Sequence, residues 1–289
     1  MTALFEKRYP LTYELLPPRG CEANGFEAVE PFADKLDAVT VTDNPMATLR
    51  ASSIAYGSKA RERLHIDVIP NLSCRDRNLL ALQSEIIGAD ILGHHNLFIV
   101  TGDAPKDRAG FKPVWEVNSI ELCGVVKGLN GGIAQVRENG QSIQGNTRFT
   151  VGGALVFDRP NEQDTLRKKV DAGFDYFISQ ISFDAEQAED FFAEAEERGD
   201  PVDQHVQIGL APTSTPRRLR AVSQMPGIKI RETTLEKLEK NPDFIGGVVS
   251  HLAEVADELK SSLSTYSIGF HLMPIGNDEA THRLIDELT

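Results

Sequence analysis

The chain has 289 residues, of which 40% are hydrophobic and 25% are charged, a balance typical of a soluble globular protein. Its formal net charge of −13 argues against a nucleic-acid-binding protein, because neutralising phosphates requires clusters of Lys and Arg. The three cysteines are widely spaced and form no Cys-x-x-Cys pair. We therefore expect a reduced, cytoplasmic setting and no Cys-rich zinc site.

The N-terminal segment MTALFEKRYPLTYELLPP carries charges within its first eight residues and has no long apolar stretch. It predicts neither a signal peptide nor a membrane span. No low-complexity linker and no solenoid-length repeat divides the chain. Because a barrel of roughly 250 residues forms one domain, we expect a single catalytic domain over residues 1–289.

Short apolar runs alternate with amphipathic patterns along the chain, which predicts βα units around a parallel sheet. Eight runs are predicted strands: Thr12–Leu16, Ala38–Thr42, Ile66–Leu72, Asn96–Val100, Phe149–Leu155, Tyr176–Phe183, Val206–Ala211 and Gly269–Met273. The patterns between them predict helices, among them Leu79–Leu92, Ser119–Leu129, Thr165–Ala172, Ala185–Arg198, Arg217–Ser223 and Phe244–Leu263.

Eight strands with intervening helices predict an α/β fold of the (β/α)8 TIM-barrel type, with a doubly wound open sheet as the alternative. An open sheet usually carries a Gly-rich dinucleotide loop after its first strand, whereas this first strand runs into Pro17-Pro18. The chain contains neither Gly-x-Gly-x-x-Gly nor a Gly-Lys-Ser/Thr phosphate loop. These patterns favour the barrel.

Binding and catalytic groups of α/β folds follow the carboxyl ends of the strands, and Glu14 stands at such a position. It lies in the apolar stretch TYELLPP, where partial desolvation would raise its pKa toward the range that suits a general acid. An ion pair with a neighbouring strand would explain a buried acid equally well.

Two further polar residues stand at strand ends. Asp103 follows Leu97–Val100, and Gly102 before it would let the backbone approach a ligand, although a turn or helix cap is a frequent use of Asp there. Gln180 lies in FISQISF, and its amide must satisfy both a donor and an acceptor. A heterocyclic ligand or a hydrogen-bond network inside the barrel would do so.

The pattern of the lysines and histidines predicts no further catalytic or metal site. Lys169 lies in a predicted helix that ends at Gly173, and the pattern alone predicts a solvated charge beside Lys168. The seven histidines form no ligand set, since His251-x-x-Glu254 lacks the second His of a zinc protease. We expect no metal site.

The motifs SCRDRN and TGDAP resemble those of the methylenetetrahydrofolate reductase family, and in particular of the reductase half of bacterial homocysteine methyltransferase–reductase fusions. A single short motif is weak evidence for a family, but here the resemblance covers nearly the whole chain. The similar segments are TYELLPPRG, VTVTDN, IPNLSCRDRN, VTGDAPK, NSIELCGVVKGLN, LRKKVDAGFDYFISQISFD and IGLAPTSTPRRLRAVSQMPGIKI.

This resemblance implies FAD-dependent reduction of 5,10-methylenetetrahydrofolate to 5-methyltetrahydrofolate by NADH or NADPH, in a ping-pong reaction at the barrel mouth. Glu14 would be the acid that opens the five-membered ring, Asp103 would act beside the flavin and pterin, and Gln180 would contact the substrate. A homo-oligomer is expected. Flavin-binding positions would be Thr42, Asn71, Thr101, Gly102, Asp103, Ala154 and Lys169.

The chain departs from the enteric type of the family at several of these positions. Enteric members carry His at the position of Asn71, Arg at that of Thr101, Tyr near Ala154 and Asn near Thr165. A flavin-independent reductase is therefore an alternative. A paralogue working in the oxidative direction of one-carbon catabolism is another, and a non-catalytic barrel subunit is a third. The joint presence of the acid, the Asp and the Gln argues against the last.

Overall fold

The computed structural model describes residues 3–105, 110–136, 139–275 and 278–289. Within these ranges the strands are β1 Leu11–Leu15, β2 Ala38–Val41, β3 Asp67–Ser73, β4 Asn96–Val100, β5 Ile133–Ala134, β6 Gln141–Ser142, β7 Thr150–Leu155, β8 Tyr176–Ile181, β9 His205–Leu210 and β10 Ile268–Leu272. The short strands β5 and β6 form a separate antiparallel hairpin.

The α-helices are α1 Ser53–Leu64, α2 Leu79–Ile91, α3 Ser119–Asn130, α4 Glu162–Ala172, α5 Glu186–Glu197, α6 Pro216–Ser223, α7 Glu232–Glu239, α8 Phe244–Ser262 and α9 Asp278–Leu288. Short 3-10 helices cover Ala3–Glu6, Phe26–Ala28, Glu30–Lys35 and Pro45–Ala47. In the described ranges, none of the helices combines the length and apolar character that a membrane crossing requires.

The eight long strands close into a barrel in which sequence neighbours pair in parallel and β1 also pairs with β10. The (β/α)8 barrel predicted from the sequence is confirmed, and the open sheet is excluded by the closure. All eight predicted strands are present, with ends that differ by at most two residues. The hairpin and helices α1, α7 and α9 are not among the predicted elements.

Side-chain alternation along the strands divides the apolar core into two clusters. In β1, Leu11, Tyr13 and Leu15 belong to the large outer cluster between barrel and helices, which leaves Thr12 and Glu14 on the inner face. The inner cluster comprises Leu4, Phe5, Ala38, Ile69, Phe98, Tyr176 and Ile178.

Phe5, from the first 3-10 helix, closes the N-terminal end of the barrel. Its ring lies 4.3 Å from that of Tyr176 and 4.8 Å from that of His205, measured between centroids, and these are the first residues of β8 and β9. Because this end is packed with side chains, the interior can admit a ligand from the opposite end, where the strands terminate.

Gly152 makes room for the inward-facing ring of Tyr176, its partner across the β7–β8 pair. A Cβ at Gly152 would lie 2.2 Å from the tyrosine ring, whose hydroxyl donates a hydrogen bond of 3.0 Å to the Leu97 carbonyl. We predict that Gly152→Ala lowers the free energy of unfolding by roughly 1–3 kcal/mol through overpacking. Gly88→Ala, in an open position of α2, should be neutral or stabilising by up to about 1 kcal/mol. Urea titrations check both, and equal stability of the two variants would contradict the packing argument.

Candidate active site

A cavity of about 730 Å³ opens at the carboxyl ends of the barrel strands. Its size lies within the range of small-molecule sites. It is lined by side chains from β1 to β4, β7, β8 and β10 and by the loops that follow them. Every residue singled out from the sequence lines this one cavity: Glu14, Thr42, Asn71, Thr101, Gly102, Asp103, Ala154, Lys169 and Gln180.

Glu14 projects from β1 into the barrel beside Thr40, its partner on β2. The carboxyl is partly buried, and no described residue donates a hydrogen bond or forms an ion pair with it, so the alternative of a structural ion pair does not hold. Burial raises the pKa of Glu14 to about 7. A carboxyl with this pKa carries a proton in a large fraction of molecules at neutral pH.

His271 and two threonines form a neutral floor near Glu14. The Nδ1 atom of His271 lies 2.8 Å from the Thr12 hydroxyl, and its Nε2 atom lies 3.5 Å from the Thr40 hydroxyl. Burial lowers the pKa of His271 to about 3, so the imidazole is uncharged at neutral pH. The floor therefore offers no cation that would stabilise a Glu14 carboxylate.

Asp103 joins the loops that follow β4 and β2. Its carboxylate accepts a hydrogen bond of 2.8 Å from the Met46 backbone N–H and is otherwise exposed at the rim of the cavity. It does not cap α3, which begins at the capping residue Asn118. Gly102 has φ +94°, and a Cβ there would lie 2.3 Å from the Ser73 hydroxyl, so the loop requires glycine.

Thr101 anchors the segment that follows it. Its hydroxyl accepts a hydrogen bond of 3.3 Å from the Ser119 backbone N–H at the start of α3. Its carbonyl accepts one of 3.0 Å from the indole N–H of Trp115. The side chain at this position therefore organises the cavity rim and brings no charge to it.

Gln180 reaches the cavity because β8 is irregular at this point. The pairing of β8 with β9 shifts register between Ile178 and Ile181, and the Ser179 hydroxyl accepts the Gly209 N–H across the shift. The Gln180 amide donates to the Pro226 carbonyl at 3.1 Å. Backbone groups therefore hold the Gln180 amide in place at the cavity. The sequence analysis had offered two partners for it, a ligand or a hydrogen-bond network inside the barrel.

Two buried polar atoms of the cavity wall have no partner among the described residues. They are the Thr42 hydroxyl oxygen, after β2, and the Asn71 side-chain oxygen, on β3. Unpaired buried polar atoms are rare in folded proteins and each needs an explanation. A ligand that donates hydrogen bonds in the cavity would satisfy both.

Lys169 is buried, so the solvated charge predicted from its pattern is wrong. Helix α4 begins at Glu162, three residues earlier than predicted, and Glu162, Leu166 and Lys169 then share its inner face. The Lys169 ammonium donates to the Ala154 carbonyl at the cavity wall. Desolvation lowers its pKa, although Glu162 opposes this effect.

Glu162 holds two cations at this wall, and the sequence analysis missed it. Its carboxylate is buried, forms an ion pair with Arg159 and lies 3.7 Å from the Lys169 ammonium. Because one carboxylate serves two cations, the cluster keeps a net positive charge where both cations line the cavity. An acid and a lysine seven residues apart on one helix face were the available signal.

Arg75 ties together three loops of the mouth and is fully buried. Its guanidinium pairs with both oxygens of Asp76, at 2.6 and 2.7 Å, and donates to the carbonyls of Asn44 and Asp103 at 2.9 and 3.2 Å. Such a planar fork fixes the relative positions of its partners. The loops after β2, β3 and β4 are thereby assembled before any ligand binds.

A second ion pair supports the same region. Arg77 binds both oxygens of buried Asp43, at 2.6 and 3.2 Å, and Asp43 also accepts the Ser73 N–H at 2.9 Å. The sequence analysis used SCRDRN as a family signature and missed these contacts. Three consecutive charged residues directly after a buried strand were the signal. Among the described residues no cluster of His, Cys, Asp or Glu could hold a metal ion.

The unpaired burial of Glu14 makes a prediction about stability. The folded chain keeps the Glu14 proton up to a pKa of about 7, whereas an ordinary Glu loses it near 4.5. Stability linked to this proton is fully present below pH 4.5 and is lost as the pH rises through 7. The Glu14→Gln variant does not lose this stability, because the glutamine amide does not ionise in this pH range. Relative to the unsubstituted protein, it should gain of the order of 3 kcal/mol between pH 4 and pH 8.

Urea unfolding of both proteins at pH 4, 6 and 8 measures this gain. Glu162→Gln provides the contrast, because it removes a buried acid that has two cationic partners and should destabilise at pH 8. If Glu14→Gln lost stability at pH 8 relative to pH 4, an unrecognised partner of the carboxylate would be indicated.

Comparison with solved structures supports the fold. A protein from Clostridium thermocellum, described as binding two copies of 5-methyl-5,6,7,8-tetrahydrofolic acid, is 16% identical with a TM-score of 0.68, over 97% of this chain and 94% of its own. EDTA monooxygenase from Chelativorans sp. BNC1 is 14% identical with a TM-score of 0.56, over 98% and 92%. At these identities the likeness concerns the fold alone.

No curated protein matches the chain in a sequence comparison. The family model for methylenetetrahydrofolate reductase, in contrast, matches residues 2–289. That match covers the barrel, the cavity and all of the residues that line it. The chain therefore belongs to the methylenetetrahydrofolate reductase family, a family of oxidoreductases that act on folate.

Proposed function

We propose that the protein reduces 5,10-methylenetetrahydrofolate to 5-methyltetrahydrofolate, with NADH or NADPH as electron donor and FAD as cofactor. The observation that carries this proposal is Glu14, a partly buried acid that lines a ligand-sized cavity and has no cationic partner among the described residues. Family membership supplies the reaction class, and the folate-binding neighbour of the same fold supports a folate as the ligand.

Glu14 fits the chemistry that this substrate requires. The five-membered ring of methylenetetrahydrofolate opens when one of its nitrogens is protonated, and the resulting iminium carbon can then accept hydride. An acid serves best when its pKa lies near the working pH, and burial raises the pKa of Glu14 to about 7. In this mechanism Glu14 gives its proton to the ring nitrogen and then regains one from solvent.

The cavity wall fits FAD. Unpaired Thr42 and Asn71 would accept hydrogen bonds, and the tight turn at Gly102 would permit close approach of the backbone. Lys169 and Arg159 supply positive charge suited to a diphosphate. FAD would supply the hydride acceptor and donor at this site. Thr101 and Ala154 would contribute backbone groups, since neither side chain carries charge.

Asp103 and Gln180 would orient the reactants. Asp103 keeps a free carboxylate oxygen at the rim, because the Met46 N–H occupies the other. This oxygen can accept hydrogen bonds from the amino group of a pterin. Gln180 is fixed by backbone contacts, so its amide would meet a ligand in one orientation. Precise orientation of reacting groups contributes strongly to rate.

A non-catalytic barrel subunit is disfavoured by the same observation that carries the proposal. An acid that is buried without a partner costs stability above its pKa. Retaining it is consistent with an enzyme that uses the proton.

The experiment is purification followed by visible absorption spectroscopy and assays of methylenetetrahydrofolate reduction with NADH and NADPH. We predict a yellow protein that binds FAD non-covalently and catalyses the reaction. Lys169→Gln should weaken FAD binding about tenfold or more, as loss of a buried charged contact does. Arg167→Gln, on the same helix but exposed and paired with Asp200, should leave it unchanged.

Two outcomes would contradict parts of this proposal. A colourless protein that reduces the folate without added FAD would refute the proposal that FAD is the cofactor, but would support the proposed reaction. Absence of folate reduction with either nucleotide, with FAD supplied, would refute the reaction itself.

A further inference from the structure

A second cavity of about 370 Å³ lies beside the main one, at the same end of the barrel. The two cavities share Asn44 and Arg75 in their linings. The wall between them is the loop after β2, which contains the 3-10 helix Pro45–Ala47. A ligand in the main cavity that extends past this loop would reach the second cavity.

Two of the side chains that line the second cavity are large, apolar and exposed to solvent. Leu49 is 81% exposed and Phe111 is 43% exposed, and both line the cavity. Exposed apolar side chains that line one concavity can form a ligand-binding surface. Their shapes suit a flat apolar group such as an aromatic ring inserted between them.

The charge presented to such a ligand is positive. Asp76 lines the cavity, but both of its oxygens are paired with Arg75, and Asn44 donates to one of them at 3.3 Å. Lys112 also lines the cavity and forms no ion pair with any described residue. In a chain of net charge −13, this ammonium would favour an anionic ligand.

The dividing loop is held in a fixed shape. Asn44, Met46 and Ala47 all have positive φ, between +45° and +54°, which is unusual for residues with a side chain. The loop is held by Arg75 at the Asn44 carbonyl, by Asp103 at the Met46 N–H and by the bond from the Arg50 N–H to the Asn44 side chain. Backbone strain that is maintained in this way occurs mainly at functional sites.

We infer that this second cavity binds the distal end of a reactant, an aromatic ring with an attached anionic group, while the reactive end of the same molecule occupies the main cavity. This inference rests on the proposed function. Two reactants carry such an end: the benzoyl-glutamate part of the folate and the adenosine-phosphate part of the pyridine nucleotide. Leu49 and Phe111 would contact the ring, and Lys112 would pair with the anion.

The test uses the FAD-loaded protein and two fragments, p-aminobenzoyl-L-glutamate and ADP, titrated by calorimetry. We expect one fragment to bind. Lys112→Gln and Leu49→Ser should each weaken it about tenfold, and added salt should weaken it in the unsubstituted protein more than in Lys112→Gln. The KM of the corresponding whole reactant should rise by a similar factor, with kcat unchanged. The fragment that binds identifies the reactant.

Matched controls carry the same substitutions elsewhere. Lys237→Gln removes an exposed charge from α7, and Ile91→Ser removes an apolar side chain that is 79% exposed on α2. Neither should change fragment binding. The inference is overturned if neither fragment binds, or if Lys112→Gln and Leu49→Ser bind it as the controls do.

Failure of the inference and failure of the proposed function are distinguishable, because fragment binding needs no turnover. If fragment binding depends on Lys112 and Leu49 but the protein does not reduce the folate, only the proposed reaction is refuted. If both variants reduce the folate normally with unchanged KM, only the proposed role of the second cavity is refuted.

Discussion

The proposed chemistry depends on one constraint: the Glu14 carboxyl is partly buried and forms no ion pair with any described residue. The barrel arranges this by placing neutral groups around it: Thr40 beside it and His271 near it, the latter kept uncharged by its own burial. A single cation at this position would stabilise the carboxylate and abolish its use as an acid near neutral pH. The chain instead places Arg159 and Lys169 at the opposite wall of the cavity, where an anionic part of a ligand would lie, while Arg75 is paired with Asp76.

The mouth of the barrel is assembled in advance around this acid. Arg75 fixes three loops through one guanidinium. Asp103, in the loop after β4, accepts a hydrogen bond from the Met46 N–H in the loop after β2 and so joins these two loops. Contacts of this kind reduce the ordering that a ligand must impose, which improves both affinity and the alignment of reactants. The same bonds separate the two cavities, so one set of interactions defines where the reactive and distal ends of a long reactant would lie.

The sequence predicted the barrel because its strands are apolar runs separated by amphipathic helices. It singled out Glu14 because a charge inside such a run stands out, and this residue lines the cavity. It could not give the contacts of Arg75 with Asn44 and Asp103, since these residues lie in loops that are distant in the chain. The prediction for Lys169 was wrong because the lysine shares the buried face of α4 with Glu162 and Leu166, and the nearby Glu162 carboxylate stabilises its charge there. The loop that borders the second cavity also has left-handed backbone at Met46 and Ala47, residue types that rarely adopt it, so its shape could not be predicted from local patterns.

The central claim is that Glu14 delivers the proton that opens the substrate ring. Its most direct test is the stopped-flow comparison of Glu14→Gln with the unsubstituted FAD-loaded enzyme, across the pH range around the pKa of about 7. We predict that the variant oxidises NADH at a normal rate when no folate is present, but reduces methylenetetrahydrofolate at least about a hundredfold more slowly. The unsubstituted enzyme should lose folate reduction as the pH rises through 7, and the residual rate of the variant should not. Equal losses in both reactions, or an unchanged rate with the folate, would contradict the claim.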